Sequence, residues 1–539
     1  MNNKPPISGN EESSNKTKKR WVILLFSLFI IIISVVSLFY IAENSAEKKL
    51  LEWANQELSP NSEIVIDDFS LTLLPLGISI YGVNLQQLQS PEEMTFEKVS
   101  DAIRELSIKE ITLSGVSLSS LLRREHIQLK RLILHGVHFE AVKLDSLFRS
   151  DSTSTDNPIP VSITDIQFSE LNLALFDTPL SESPSTMIEN LIIDISDFSI
   201  SDPSQVNLST YEQLEITADH FTHFTDNGFY EVSLDSFLLQ SIDEKLTLDQ
   251  FRVKPLLTIY EMTLDIGYQL DRFDILIPHF SIEKIDLRRW LSNEELIAGK
   301  ITLTEPVVSI SRDKSIPRRE REDRILPHIQ FKNLPFVVDI DTIFTDNGKL
   351  HYHESIFVEN RAGIITFTEI DLTLYSMANH STSPILAEAT ALFMDRSEFD
   401  LTVEFSMADN AMHSVSGNLD PFDLTAMNST LENLVKIRLD TGLLQQLNFQ
   451  FHADDDQANG TLLLIYSDLD LRFLDPEQLT ERRWDRIRSF VANTFVIISG
   501  NSAEDPRSGK IDFERDKERS IFNYWLGSIS TGLVDTIKR

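Results

Sequence analysis

The sequence contains no cysteine. This absence excludes a disulfide framework, a metal site built from thiolates and a cysteine nucleophile, but it leaves the cellular compartment open. Phosphate-binding glycine loops and the GxSxG and HExxH motifs are also absent from the sequence. We therefore expect no catalytic residue, no cofactor and no metal site, and we interpret the protein as one that is not an enzyme.

Two groups of side chains have some features of a metal site. His351 and His353 would share one face of a strand, yet a partly exposed histidine pair is the more common arrangement. Asp454, Asp455 and Asp456 stand in a predicted hairpin loop, whereas calcium loops alternate their ligands and usually end in a glutamate. We interpret the aspartates as a solvated loop. A catalytic pair of carboxylates stays open, because the chain has 83 aspartate and glutamate residues.

Positive charge is scarce in this chain. It has 48 lysine and arginine residues against 83 aspartate and glutamate residues, which gives a net charge of −35. Such a field repels phosphates, so we expect no nucleic acid as a partner of the main body. The sign is reversed only at the N-terminus, where Lys16, Lys18, Lys19 and Arg20 precede an uncharged stretch.

That uncharged stretch, WVILLFSLFIIIISVVSLFYIA, occupies residues 21–42. About 20 apolar residues cross a hydrocarbon core of ~30 Å as a helix, so it predicts a single-pass anchor. The preceding basic residues predict that residues 1–20 are a disordered cytoplasmic tail, with the body exported, into the periplasm for a Gram-negative bacterium. A cleaved signal peptide would have a shorter apolar core. A buried globular helix would rarely be apolar all round.

Beyond the anchor, most of the chain alternates apolar and polar residues. Residues 43–58 predict a helix next to the membrane, and the period then changes from helical spacing to two, as in LEITADHF and GKITLTEPVVSIS. We divide the rest into a β-rich region (59–310), a charged linker or loop (311–330), a second β region (331–474) and C-terminal helices with a closing strand (475–539). The predicted fold is mainly β, with few helices.

The pentapeptide FTDNG occurs twice, from Phe224 and from Phe344. Asn-Gly favours a type I′ hairpin turn, because both central residues need a positive φ. We therefore predict a hairpin tip at each copy. The recurrence also suggests degenerate β modules that stack, because single modules cannot bury their apolar faces alone.

Two helices are predicted at the C-terminal end. The first follows Asp475 and Pro476, as a capped helix should. The second carries an amphipathic apolar stripe, in which Phe522 and Leu526 lie beside residues spaced by four: Ile521, Trp525, Ile529, Leu533 and Ile537. The stripe predicts either a cap over the edge of the last sheet or a contact with a membrane or an envelope protein partner.

The order of these segments resembles a known family. The anchor is followed by LTLLPLGISIYGVNL, with Pro75, Gly82, Val83 and Leu85. The later segments DTIFTDNGKLHYHE, RAGIITFTEIDLTLYSMANH, GNLDPFDLTAMNSTLENL and GKIDFERDKERSIFNYWLGSISTGL follow in the family's order. Over roughly residues 18–533 the chain is similar to the AsmA-like family of inner-membrane-anchored periplasmic proteins, which are related to bridge-like lipid-transfer proteins with a repeating β-groove.

The resemblance implies a long, curved antiparallel β-sheet that forms a hydrophobic groove. It implies phospholipid acyl chains as partners in that groove, and a role in moving lipid between envelope membranes and maintaining the outer membrane. If roughly 20–25 strands stack at ~4.8 Å each, the groove is about 100–120 Å long. No catalytic residues are implied.

Three hypotheses follow for the function. The first is a membrane-anchored lipid carrier, in which acyl chains cover the apolar face of the sheet. The second is a scaffolding envelope protein whose β-domains are filled by their own side chains and which binds partners through the C-terminal helix. The third is an exported hydrolase that uses carboxylates. Whether the apolar face is open or covered discriminates the first two.

Overall fold

The computed structural model describes residues 43–52, 54–55, 62–87, 102–117, 126–142, 160–200, 211–319, 323–356, 362–408, 411–474 and 498–538. The predicted anchor, the N-terminal tail and the helix predicted after Asp475 lie outside these residues. Among the helices of the described ranges, none is long and apolar enough to cross a membrane. Residues 43–52 are helical, within the helix predicted there.

The described part of the protein is mainly β, with few helices and one large curved sheet of 24 strands. The strands are β1 (Ser62–Val65), β2 (Asp68–Leu73), β3 (Leu76–Gln87), β4 (Ile103–Ser114), β5 (Ile127–Val142), β6 (Val161–Phe176), β7 (Thr186–Ile200), β8 (Gln213–Ala218), β9 (His220–Phe224), β10 (Tyr230–Leu234), β11 (Ser236–Gln240), β12 (Lys245–Pro255), β13 (Asp271–Glu283), β14 (Leu296–Thr304), β15 (Val307–Asp313), β16 (Val338–Ser355), β17 (Gly363–Ala378), β18 (Ile385–Phe393), β19 (Ser397–Phe405), β20 (His413–Leu419), β21 (Phe422–Asp423), β22 (Ile437–Ala453), β23 (Gln457–Phe473) and β24 (Ser508–Glu514). Besides residues 43–52, the helices named in the described ranges are α1 (Ile259–Ile266), α2 (Leu287–Asn293), α3 (Pro327–Lys332), α4 (Asn428–Leu434), α5 (Ile521–Ile537) and a short 3-10 helix (Leu424–Met427).

The strands follow one another across the sheet in chain order. Nearly all neighbours are antiparallel, and the exceptions are β5 with β6 and the pair β14 and β15 with β16. Parallel neighbours need a crossover connection, and the segments of 18 residues between β5 and β6 and of 24 residues between β15 and β16 are long enough to supply it. One of them is the charged segment predicted as a linker, and the two β regions on either side of it form one sheet through β15 and β16.

A line of aligned backbone irregularities crosses the sheet from β3 to β17. In β4 and β5 the pairing passes from Ile108 with Val137 to Glu110 with His135, so that Lys109 and Gly136 are skipped. The same interruption continues across the sheet at positions that share a positive φ: Gly82, Gly136, Glu170, Asn190, Gln250, Glu305, Asn347 and Glu369. We call these positions the bend line. Bulges bend a strand and increase its twist, so a line of them curves the sheet along one crease.

The bulges explain the spacing of the apolar residues. An extra residue reverses the alternation of side chains, so apolar residues on both sides of a bulge share a face only when they are three apart. β4 follows this rule with Ile108 and Ile111, and β12 follows it with Leu248 and Phe251. The chain therefore keeps one continuous apolar face across the crease.

The two FTDNG segments have different structures. The first forms the tip between β9 and β10, as predicted, with Gly228 N–H donating to Thr225 O over 2.8 Å. Its predicted type I′ conformation is wrong, because Gly228 has a positive φ of 68° and Asn227 does not. The second is not a hairpin tip. It lies inside β16, where Asn347 has a φ of 52° at the bend line and strands pair on both sides.

Candidate functional site

A row of apolar residues crosses the whole sheet, perpendicular to the strands. Strands that lie end to end occupy one position in the sheet, and the row takes one residue from each position. Every member pairs directly with the next in the strand registers. We call it the central apolar row: Phe69, Ile80, Ile111, Leu134, Phe168, Ile193, Ile216, Leu239, Leu246, Ile282, Ile301, Ile343, Leu374, Ala387, Val403, Val415, Phe451, Gly460 and Ile511. Parallel rows lie beside it, as in Leu132, Ile166 and Ile195.

The length of this surface follows from the strand positions. Five positions across the sheet are shared by two strands placed end to end, so the 24 strands make 19 positions. At ~4.8 Å between neighbouring strands, the row extends about 85 Å. This length is shorter than the length expected from the sequence. Two strands separated by a bend or break share one position, so the second of them adds nothing to the length of the row.

The row is covered unequally along its length. Ile111, Leu134 and Phe168 near its beginning are partly exposed, and strands β1–β12 make their main contacts, among the described elements, with strands beside them in the sheet. At the other end Val415, Phe451 and Ile511 are buried in a cluster that includes residues of α5. The apolar face is thus filled by protein at the C-terminal end, while along the earlier strands buried members such as Leu239, Ile282 and Ile301 occur together with partly exposed ones.

Helix α5 closes the C-terminal end in two ways. Its Trp525, Ile529, Leu533 and Ile537 pack against the buried cluster. Its polar side chains also satisfy the free edge of β24, because Asp535 accepts from the Lys510 amide over 2.8 Å and Thr531 accepts from the Asp512 amide over 3.3 Å. The predicted cap over the last edge is therefore confirmed.

Two residues of the predicted stripe remain outside the cluster. The exposed fractions of Phe522 and Leu526 are 65% and 57%. They flank Trp525, whose ring lies 5.9 Å from that of Phe522, centroid to centroid. This pair forms an apolar ledge on the outer side of α5.

A buried group of aromatic rings and histidines joins α5 to two other elements. Trp525 Nε1 donates to His413 Nε2 over 3.0 Å, and His413 Nδ1 faces the Ala411 carbonyl at 3.4 Å. The ring of His328 in α3 lies 5.6 Å from that of His413. Burial lowers the pKa of His413 to about 4 and also lowers the pKa of His328, so both rings are neutral at pH 7.

The predicted aspartate loop is held by cations. Asp455 pairs with the buried Arg515 and lies 2.7 Å from Lys517 Nζ, while Asp456 lies 2.8 Å from the same Nζ. Burial would raise the pKa of Asp455, but the hydrogen bond from Lys517 and the charge of Arg515 lower it below its usual value. The side chains of Asp455 and Asp456 are 47% and 75% exposed, and in addition to facing solvent they neutralise cations of the C-terminal segment, beside a cavity of about 570 Å³.

The predicted linker contributes to the same charged cluster. Arg318 lies 3.7 Å from an oxygen of Asp516, and the backbone N–H of Arg324 donates to Lys517 O over 2.7 Å. The side chain of Arg515 donates to the carbonyl of Arg324. The segment between β15 and β16 is thus attached to the segment between β24 and α5, which ties the middle of the chain to its end.

His351 and His353 lie on β16 and are both partly exposed. Burial and the charge of His351 lower the pKa of His353. Among the described residues, the group whose ligand atoms are close enough to hold a metal is instead Glu105, His138 and Glu140, within 4.8 Å of one another. Sequence reasoning missed it, because the pairing of β4 with β5 brings these residues together.

A carboxylate pair faces solvent on β7 and β8. Asp194 pairs with Glu215 in the strand register, and both line a surface cavity of about 530 Å³. Burial and the neighbouring charge of Glu215 raise the pKa of Asp194. Gln240 donates to Glu215 over 2.9 Å. An acid–base pair of this type needs a nucleophile or bound water to act on a substrate, and the cavity lining offers amides, carboxylates, the Arg131 guanidinium and the hydroxyls of Ser196 and Ser241.

Comparison with known proteins finds no matching family model and no matching curated protein.

Proposed function

We propose that this protein is a membrane-anchored, non-enzymatic carrier of phospholipids in the cell envelope. Its body would stand in the periplasm on a single anchor in the inner membrane, formed by residues 21–42, and would serve outer-membrane maintenance. The observation that carries the proposal is the central apolar row, which is continuous from β2 to β24. The resemblance of the sequence to the AsmA-like family is in line with this role.

The chemistry of the row suits acyl chains. Each methylene removed from water contributes about 0.8 kcal/mol, without any need for a directional contact. A lipid tail could therefore lie along the partly exposed rows between β3 and β17, in the hydrophobic groove expected from the sequence, while its headgroup stays in water. Because each successive strand offers a similar apolar surface, a lipid that moves along the row meets no site that binds it much more strongly than the others.

Lipid binding is tested on the full chain purified from membranes. Extraction and native mass spectrometry are expected to show bound phospholipid, and vesicle assays are expected to show transfer. Leu246→Glu places a charge in the central row, and Thr247→Glu places the same charge on the other face of β12. The first variant should lose bound lipid and transfer, and the second should keep both. A lipid-free, inactive wild-type protein would overturn the proposal.

A scaffolding role is the second candidate, because the C-terminal end is filled by its own side chains and carries the ledge of Phe522 and Leu526. An envelope protein with an apolar groove would fit this ledge. Cross-linking of the full chain in its host, compared with a Phe522→Ser/Leu526→Ser variant, tests this role. A cross-linked partner that disappears in the variant while lipid content is unchanged would favour scaffolding.

A further inference from the structure

The turn between β2 and β3 presents leucine side chains to solvent. The exposed fractions of Leu73 and Leu74 are 57% and 96%, and no other large apolar side chain of the described residues is as exposed as Leu74. Isolated surface leucines are common and need no explanation. Two adjacent leucines at the tip of a hairpin, followed by Pro75 and Leu76, form a projecting apolar point.

The hairpin around this tip carries no charge. From Ser70 to Tyr81 the sequence has no lysine, arginine, aspartate or glutamate. The neighbouring strand end is also uncharged, and Val116 N–H donates there to Leu76 O over 3.1 Å. The backbone of the tip is paired, since Leu73 and Leu76 face each other in the register. The tip could therefore move from water into an apolar environment without burying a charge and without leaving many polar groups unpaired.

One hydrogen bond joins the strand before the tip to Glu43, the first residue that the structure describes. Glu43 Oε1 accepts from the Leu71 amide over 2.8 Å, and Glu43 is the first residue after the uncharged stretch 21–42. A second contact holds the other end of the same helix, because Asn55 Oδ1 accepts from the Ile64 amide over 2.7 Å. Leu74 is three residues beyond Leu71, a reach of at most about 10 Å.

We propose that the tip formed by Leu73, Leu74, Pro75 and Leu76 inserts into the same lipid bilayer that holds residues 21–42. This inference rests on the anchor of the proposed function and adds a second attachment. Apolar groups at a membrane surface enter about 5–10 Å into the boundary between headgroups and acyl chains, a depth that a two-leucine tip can reach. Two attachments would hold the beginning of the central apolar row beside the bilayer and limit rotation about the anchor.

The chain is well suited to a test because it has no cysteine. A single cysteine introduced as Leu74→Cys is labelled with the environment-sensitive dye NBD, and the full chain is reconstituted into phosphatidylcholine–phosphatidylglycerol vesicles. The matched control is Leu180→Cys, a leucine with an exposed fraction of 68% in the turn between β6 and β7. Lipids with a doxyl group at an upper acyl position then quench dyes that lie in the bilayer.

The label at residue 74 is expected to shift its emission to the blue and to lose more than half of its intensity with doxyl lipids, while the label at residue 180 does neither. Equal behaviour of the two labels would overturn the inference. A blue shift at residue 74 without quenching would also overturn it, because it would indicate contact with protein. If the anchor of the proposed function is wrong, the chain will not float with vesicles, which is detected separately. If only lipid transfer fails, the emission and quenching of the dye at residue 74 stay as expected.

Discussion

Trp525 in α5 donates its indole N–H to Nε2 of His413, the first residue of β20, over 3.0 Å. This bond requires His413 to be neutral at Nε2, because a protonated imidazole carries a hydrogen on both nitrogens. The contact connects the helix that closes the C-terminal end to the strand beneath it. We therefore expect this closure to depend on pH.

We predict that acid destabilises the C-terminal end through this histidine. Burial lowers the pKa of His413 from 6.5 to about 4. The unfolded chain then binds the proton more readily than the folded chain. The contribution of His413 to the free energy of unfolding is therefore complete above pH 6.5 and is lost as the pH falls toward 4, a loss on the order of 3 kcal/mol. Urea unfolding followed by tryptophan fluorescence between pH 7.5 and 4 measures the loss.

His413→Gln is expected to be less stable at pH 7.5 but to lose part of the pH dependence. The matched control is His380→Gln, which removes a histidine whose side chain is half exposed. An identical slope in wild type and His413→Gln would contradict the assignment.

Removing the carboxylate that caps β24 should weaken and expose the last edge. Asp535 accepts from the Lys510 amide, and this hydrogen bond is the main reason that the pKa of Asp535 is lowered. Because Asp535 is partly exposed, we expect Asp535→Ala to cost only about 1 kcal/mol. An unprotected edge strand also pairs with other chains, so light scattering should rise after mild heating. Asp505→Ala, at an exposed site, serves as the control and should change neither measurement.

Alanine at Gly136 should distort the bend line. Gly136 has a φ of 66°, and an added Cβ would stand 2.3 Å from Lys109 Cδ. Lys109 is itself hydrogen-bonded to Glu170 over 2.8 Å. Gly228→Ala is a close control, because its φ is 68° but no atom lies within 4 Å of an added Cβ. Alanine at a positive φ costs both variants about 1–2 kcal/mol of folding stability. The larger loss of stability expected for Gly136→Ala therefore measures the crowding of the added Cβ against Lys109. Equal losses would show that Lys109 moves freely.

Neutralising Asp194 should stabilise the sheet at neutral pH. Burial and the facing Glu215 raise the pKa of Asp194, so the unfolded chain loses this proton more readily and stability falls as the pH rises through that range. Asp194→Asn is expected to raise stability at pH 7 by roughly 0.2–1 kcal/mol. The gain should vanish in acid, where the carboxyl is protonated. Asp165→Asn, which removes a partner of Arg131 at 3.8 Å, should bring no gain at pH 7 in the same urea titrations.

The two FTDNG segments show where local reasoning ends. In both copies one residue of the Asn-Gly pair takes a positive φ, Gly228 in the first and Asn347 in the second. The same local preference therefore supports a hairpin tip between β9 and β10 and a bulge within β16. Partner strands decided between them, since β14, β15 and β17 pair with β16 on both sides of the second copy.

The sequence contains a signal for the bend line, although the alternation of apolar and polar residues does not reveal it. Glycine followed by valine stands at Gly82 and again at Gly136, both with a positive φ. A change of spacing from two to three between apolar residues marks the same positions, as between Leu134 and Val137. Non-glycine members such as Glu170 and Gln250 lack the glycine, and only the spacing of three marks them, as between Leu248 and Phe251.

The sequence by itself determined the β-rich fold, the apolar stripe of α5 and the existence of one apolar face. These properties depend on the period of side chains along a single strand or helix, which is local. Only the tertiary structure decided that apolar residues from 19 strand positions join in one row, and that this row is buried near Ile511 but partly exposed near Ile111. Burial depends on which distant segment lies over a surface, and α5 covers only the final strands.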